Sequence, residues 1–200
     1  MRSKYILLKR FIDMIVAYIL LLICYIPMIV IAIIIKIVDG GPVIFRQKRI
    51  GLNGKIFVCY KFRTMRCDAP SNLSTKDFVN AGEYITPLGA FLRRTSLDEL
   101  PQLFNVLAGD MSLVGPRPLI PNEKDMHTLR KKLGVYNTRP GITGLAQVCG
   151  RDRLTDARKA ECDEIYVSNM SLFCDLYIIF ATVRGVLKKD GINDLAKTVT

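Results

Sequence analysis

The sequence predicts a membrane-associated α+β protein: an apolar N-terminal helix, then a compact, mainly helical body carrying a small β-hairpin. Three observations predict it. Met14 to Ile35 are 22 consecutive apolar residues, counting Tyr and Pro, long enough for a helix to cross a hydrocarbon core. Two alternating apolar segments flank Gly51-Leu52-Asn53-Gly54, which carries hairpin turn chemistry. Most of the other apolar residues recur at helical spacing. Gly40, Gly41 and Pro42 end the apolar element, dividing the chain into an anchor over 1–39 and a body over 40–200.

The anchor is too long for a cleaved signal peptide and lacks a small-residue cleavage site. Arg2, Lys4, Lys9 and Arg10 precede it, and Gly40 to Arg66 carries seven cations and no acid, so both flanks read as cytoplasmic. Pro27 stands just past the middle and removes a backbone donor. Charge and proline together allow either a re-entrant helix broken near Pro27 or a single span with a kink. Asp13 reads as an interfacial residue paired with the neighbouring cations or a helix terminus.

In the body, the spacing predicts a hairpin of VIFRQKR and KIFVCYKFRTM. Ile56, Val58, Tyr60 and Phe62 fall on one face of the second strand, and Cys59, Lys61 and Arg63 on the other. By periodicity alone the cationic face reads as solvated. Cys67 to Ile85 is polar and turn-rich, a loop. Leu88, Phe91 and Leu92 then space as one helical face; after TSLDELP, Leu103, Phe104, Val106 and Leu107 resume until Gly109. Arg139 to Arg151, with three glycines and a proline, reads as a shaped loop, and Arg158 to Lys189 as a helical tail.

Composition narrows the chemistry. A net charge of +11 on a chain that is half apolar excludes disorder. The six cysteines form no C-x-x-C pair and fit free thiols in a reducing compartment. With His127 the only histidine, histidine-based zinc sites are excluded, and carboxylates and cations must carry any reaction.

Asp98 and Glu99 are the candidate acids. Ser96-x-x-Glu99 matches a capping box, with Asp98 favoured by the helix dipole. Pro101 opposes that register, and a helix beginning near it leaves both carboxylates just ahead of its N-terminus. Arg94, Arg117 in Gly115-Pro116-Arg117-Pro118, and Arg139 and Arg151 around the glycine-rich loop supply guanidinium forks suited to phosphate. Singly, each reads as a surface ion pair; with an anchor and an acidic pair, they suggest an anionic substrate met at a bilayer surface.

Lys9-Arg10-Phe11-Ile12-Asp13 before an apolar run, YKFRTM, SLDELPQLFNVLAGDMSLVGPRP and RPGITGLAQVCGR, in this order, resemble the bacterial sugar transferase family, the small monotopic phosphoglycosyl transferases. The resemblance spans about residues 9 to 185. It implies transfer of a sugar 1-phosphate from a UDP-sugar to polyprenyl (undecaprenyl) phosphate with release of UMP, at the cytoplasmic face of the bacterial inner membrane, supplying downstream glycosyltransferases. It implies Asp98 as the nucleophile of an aspartyl phosphosugar intermediate, Glu99 as its metal partner or acid/base group, and Mg²⁺ held by the two. Arg94 and Arg117 become phosphate ligands, with Lys61 and Arg151 as further ones. Lys9, Arg10 and Asp13 lie where the family anchors its helix to headgroups. The helix is expected to be re-entrant at Pro27, although Ile26-Pro27 stands where the family often has Ser-Pro. A non-catalytic, membrane-anchored basic module binding nucleic acid or anionic lipid accounts for the charge but gives no reason for Asp98-Glu99 or GPRP; the resemblance implies no nucleic acid partner.

Overall fold

The structure is a computed structural model that describes residues 2–70, 81–150 and 153–188. Helix α1 (Arg2–Asp39) leads into the antiparallel hairpin β1 (Ile44–Ile50) and β2 (Ile56–Phe62). Helices α2 (Pro87–Thr95) and α3 (Gln102–Ala108) flank a single 3-10 turn at Leu97–Glu99. Strand β3 (Ser112–Val114), helix α4 (Lys124–Lys132), strand β4 (Gly141–Thr143) and the one-turn α5 (Leu145–Val148) follow, then α6 (Asp156–Ser168) and α7 (Leu172–Lys188).

Helix α1 is long and apolar enough to cross a membrane, yet one stripe of it rests on the body along most of its length. Ala17, Leu20 and Leu21 pack with Phe57, Leu103, Val106 and Met111. Further along, Met28, Ile31 and Ile35 pack with Phe62 and Leu92. Support on both sides of Pro27 accounts for a helix that stays continuous through it, where a break was expected. The other faces of α1 expose Leu7, Phe11, Leu22, Ile26 and Ile37.

The polar residues near its start correct the headgroup expectation. Lys9 and Asp13 are buried. Lys9 Nζ lies 2.6 Å from Asp175 Oδ2 and 3.7 Å from Asp13 Oδ1. Asp13 accepts from Ser112 Oγ at 2.6 Å, and Asp175 accepts from the hydroxyls of Tyr5 and Tyr166 at 2.7 and 2.8 Å. Arg10 donates to the Val106 and Leu107 carbonyls at 2.6 and 3.1 Å, covering orphan acceptors at the C-terminus of α3. These residues fasten α1 to the body because their partners lie inside the protein.

The hairpin forms as expected, with Asn53 and Gly54 both left-handed (φ 54° and 73°). Its faces are reversed near the turn. Phe57 and Cys59 enter the core beneath α1 while Ile56 and Val58 are exposed; only by Phe62 does the other face bury. The glycine-rich segment contains regular structure that its composition hid. Strands β3 and β4 pair in parallel, Ser112 with Gly141 and Val114 with Thr143. The backbones pass so closely that a Cβ on Gly141 would stand 2.1 Å from the Gly115 nitrogen, and one on Gly144 2.1 Å from the Gly115 oxygen. The tail is two helices. Ile178 of α7 is buried, whereas Leu172, Leu176 and Val183, along with Phe173 and Phe180, are exposed.

Candidate active site

Asp98 and Glu99 occupy the 3-10 turn between α2 and α3. Ser96 closes α2 in the left-handed region (φ 57°, ψ 16°) and makes no side-chain cap bond, so the capping box does not form. Pro101 is the N-cap of α3, and the two carboxylates stand just ahead of that helix, as its proline required.

Asn105 fixes this turn against the hairpin, and sequence reasoning missed it. It is fully buried; its Oδ1 accepts from the Tyr60 backbone at 3.0 Å and its Nδ2 donates to the Val58 carbonyl at 2.7 Å. One buried amide thus holds α3 to the strand beside Lys61. A buried polar residue inside an apolar helical pattern, as in QLFNVLA, is the signal that could have found it.

Lys61 and Arg117 converge on Glu99. Lys61 Nζ is 2.5 Å and Arg117 Nη1 3.4 Å from Glu99 Oε1. Burial pushes the Glu99 carboxyl up, but the two cations and their hydrogen bonds outweigh it and hold it at about 2. Asp98 is different. It is 8% exposed and makes no ion pair within 4 Å among the described residues. Burial and the neighbouring Glu99 raise its pKa against the pull of Lys61, Arg93 and Arg117. Two adjacent carboxylates with pKa values driven apart suit different roles.

Arg93, not Arg94, belongs to this cluster. A Cβ on Gly89 would stand 2.0 Å from the Thr64 carbonyl oxygen, so α2 lies directly on the chain leaving β2. That contact turns Gly89, Leu92 and Arg93 inward. Arg93 Nε donates to Thr64 Oγ1 at 2.8 Å; its burial lowers its pKa, and the charge of Asp98 opposes the change. Arg94 points out, its guanidinium 5.9 Å from the centre of the Phe91 ring, and Phe91 is itself exposed. Reading Gly89 as part of the inward stripe would have selected Arg93.

The other expected ligands divide. Lys61 and Arg117 are brought together; Arg151 lies outside the described residues. Arg63 is buried rather than solvated, donating to Cys67 Sγ at 3.1 Å. Arg139 donates to the Gly109 carbonyl at 2.8 Å, a helix-capping role. His127 is structural: its Nε2 is 2.8 Å from the Ile120 carbonyl, which fixes it as donor, and its Nδ1 meets the Tyr136 hydroxyl. Among the described residues no cluster of three metal-ligating side chains occurs. A hard divalent ion that keeps several waters needs only one or two carboxylates when phosphate oxygens complete its shell, and Asp98, with no cation at contact distance among the described residues, meets that need better than Glu99.

The arrangement is a carboxylate with its charge unspent beside a second carboxylate already neutralised, within a cationic wall. It can accept a phosphoryl group from a polyanionic substrate. The family model described as bacterial sugar transferase matches residues 4–189. An uncharacterized sugar transferase, EpsL, of Bacillus subtilis (strain 168) is 44% identical over 190 residues, covering 94% of this chain and 91% of the relative. The undecaprenyl-phosphate galactose phosphotransferase of Salmonella typhimurium is 43% identical over 168 residues, 76% of this chain and 35% of the relative. The UDP-glucose:undecaprenyl-phosphate glucose-1-phosphate transferase of Klebsiella pneumoniae is 41% identical over 194 residues, 92% of this chain and 41% of the relative. The chain spans nearly all of the first and less than half the length of the other two.

Proposed function

The chain belongs to the bacterial sugar transferase family, and from that premise we propose that it moves a sugar 1-phosphate from a UDP-sugar to undecaprenyl phosphate, releasing UMP. The observation that carries this reading is the nearly buried carboxylate of Asp98, without an ion pair among the described residues, close to Lys61, Arg93 and Arg117.

An Asp98 carboxylate oxygen attacks the phosphorus that bears the sugar. The bond from that phosphorus to the bridging oxygen breaks, and UMP leaves with the electron pair. An oxygen of undecaprenyl phosphate then attacks the same phosphorus, displacing the Asp98 carboxylate and forming the diphosphate-linked lipid sugar. Splitting the transfer in two avoids direct approach of two anionic substrates. Lys61, Arg93 and Arg117 are fixed before substrate arrives, so they stabilise charge on the transferring group without reorganising. Glu99 holds Lys61 and Arg117 in place. Asp98 would hold a Mg²⁺ ion, whose charge would offset that of the substrate diphosphate.

Attachment at the cytoplasmic face of the inner membrane, with both ends of α1 on that side, agrees with its basic flanks. It agrees also with the packing: both halves of α1 rest on the same body, so a full crossing would carry part of that body into hydrocarbon. The exposed apolar face of α7 suits the same surface.

The test is UMP release from a panel of UDP-sugars with undecaprenyl phosphate and Mg²⁺, comparing the natural chain with Asp98→Asn. Release by the natural chain alone, with phosphosugar trapped on it, is the expected result. No release by folded, membrane-inserted protein overturns the reading and returns the anchored basic module.

A further inference from the structure

The segment Pro116–Ile120 is held by its backbone. Five successive carbonyls accept hydrogen bonds from five residues: Pro116 from the Gly141 nitrogen at 2.9 Å, Arg117 from Arg130 Nη1 at 2.7 Å, Pro118 from Arg49 Nη1 at 2.9 Å, Leu119 from the Ile50 nitrogen at 2.9 Å, and Ile120 from His127 Nε2 at 2.8 Å. Prolines on both sides of Arg117 fix their own φ angles, and Pro118 disfavours a helical backbone at Arg117.

The donor beneath Arg117 is unusual. Arg130 is 3% exposed, and its Nη2 lies 2.5 Å from Asp163 Oδ2, on a residue 1% exposed. A fully buried ion pair contributes little net stability, because desolvation offsets the attraction. This one joins α4 to α6, and its Nη1 donates to the carbonyl of the arginine that meets Glu99. The charge of Asp163 orients the Arg130 guanidinium, that guanidinium fixes the Arg117 backbone, and the Arg117 side chain swings from a fixed root to 3.4 Å from Glu99.

We infer that Arg130 is a positioning residue for Arg117: the Arg130–Asp163 pair sets the affinity of the site for the diphosphate of its nucleotide-sugar substrate without touching that substrate. The identity of the substrate rests on the function proposed above. A packing role alone makes a different prediction, since a packing defect lowers stability whatever side chain stands at 117.

The test is a double-mutant cycle on the full chain in detergent or nanodiscs, read by calorimetric UDP binding and by KM and kcat for UMP release. An apolar replacement of the whole pair, Arg130→Met with Asp163→Leu, keeps the volume and leaves no charge unpaired, so it is expected to fold. It should weaken UDP binding and raise KM about tenfold, and should have no further effect in an Arg117→Ala background. The same loss in both backgrounds, or unweakened UDP binding, overturns the inference. Should the apolar pair fail to fold, Arg130→Lys keeps the buried charges, loses one fork and passes through the same cycle with the same criteria. Natural chain that neither binds UDP nor releases UMP overturns the proposed function and this inference with it; binding with additive effects overturns the positioning role alone.

Discussion

Lys61 Nζ sits 2.5 Å from Glu99 Oε1, and the pairing joins the end of the hairpin to the turn that carries Asp98. It commits Glu99 to the cations and leaves Asp98 as the carboxylate available for chemistry. Since Lys61 and Arg117 hold Glu99 at about 2 against an ordinary 4.5, the sign is that of a depressed acid. The stability it contributes is complete above the unfolded value and lost as pH falls toward 2. Glu99→Gln lacks that contribution. Unfolding free energies of the two chains, measured from pH 6 downward, should differ most above about pH 5 and converge near pH 2.

Asp98→Asn should abolish turnover while the protein stays as stable or becomes more so. The nucleophilic oxygen is replaced by an amide, and loss of a covalent nucleophile costs about 10⁴-fold or more. Burial raises the Asp98 pKa, so the fold favours a neutral side chain there. The checks are UMP release, which should vanish, and a melting curve, which should not move down. A lower melting temperature at neutral pH would contradict the burial argument.

Arg93 and Arg94 are adjacent in sequence and opposite in consequence. Arg93→Ala should lower kcat/KM by about 10- to 100-fold, the range for losing a charge-assisted contact; Arg94→Ala should stay within about threefold. Steady-state kinetics on the two variants separates them. Equal losses would mean that α2 presents a different face.

Much of this was legible in the sequence because it is local. The long apolar run, the Asn53-Gly54 hairpin and the start of α3 at Pro101 each follow from a few neighbouring residues. What escaped depends on contacts between distant segments. Arg93 faces the site because Gly89 lets α2 lie on Thr64, 25 residues away in sequence. The β3–β4 pairing needs Gly115 and Gly141 against one another. Lys9 and Asp13 resemble interfacial charges until Asp175, more than 160 residues away, closes on Lys9. The reversed faces of β2 share this cause: Phe57 joins a core with Ala17, Leu103 and Val106, whereas Phe62 joins a separate one with Ile35 and Leu92.

That docking network yields a stability prediction. Lys9→Ala leaves the Asp175 carboxylate buried without its cation, and breaking such a pair costs about 3–5 kcal/mol; the two tyrosine hydroxyls that still donate to it favour the lower end. Lys36, exposed on the same helix, is the control, and Lys36→Ala should cost no more than about 0.5 kcal/mol. Denaturation in a fixed detergent measures both.

The placement of α1 can be decided by labelling. A helix of 38 residues at about 1.5 Å per residue is longer than a bilayer core needs, so length alone permits a crossing. Its packing does not favour one: Ala17 and Ile35 are both buried against the same body, and a body rich in buried ionic groups is costly to place in hydrocarbon. In a chain with its six cysteines replaced, Ser3→Cys and Lys36→Cys should both react with a membrane-impermeant maleimide in inverted vesicles, and neither in intact spheroplasts. Labelling of the two positions from opposite sides would mean a true span, with the body meeting only one end of the helix in the membrane, and would remove the packing argument for one-sided attachment.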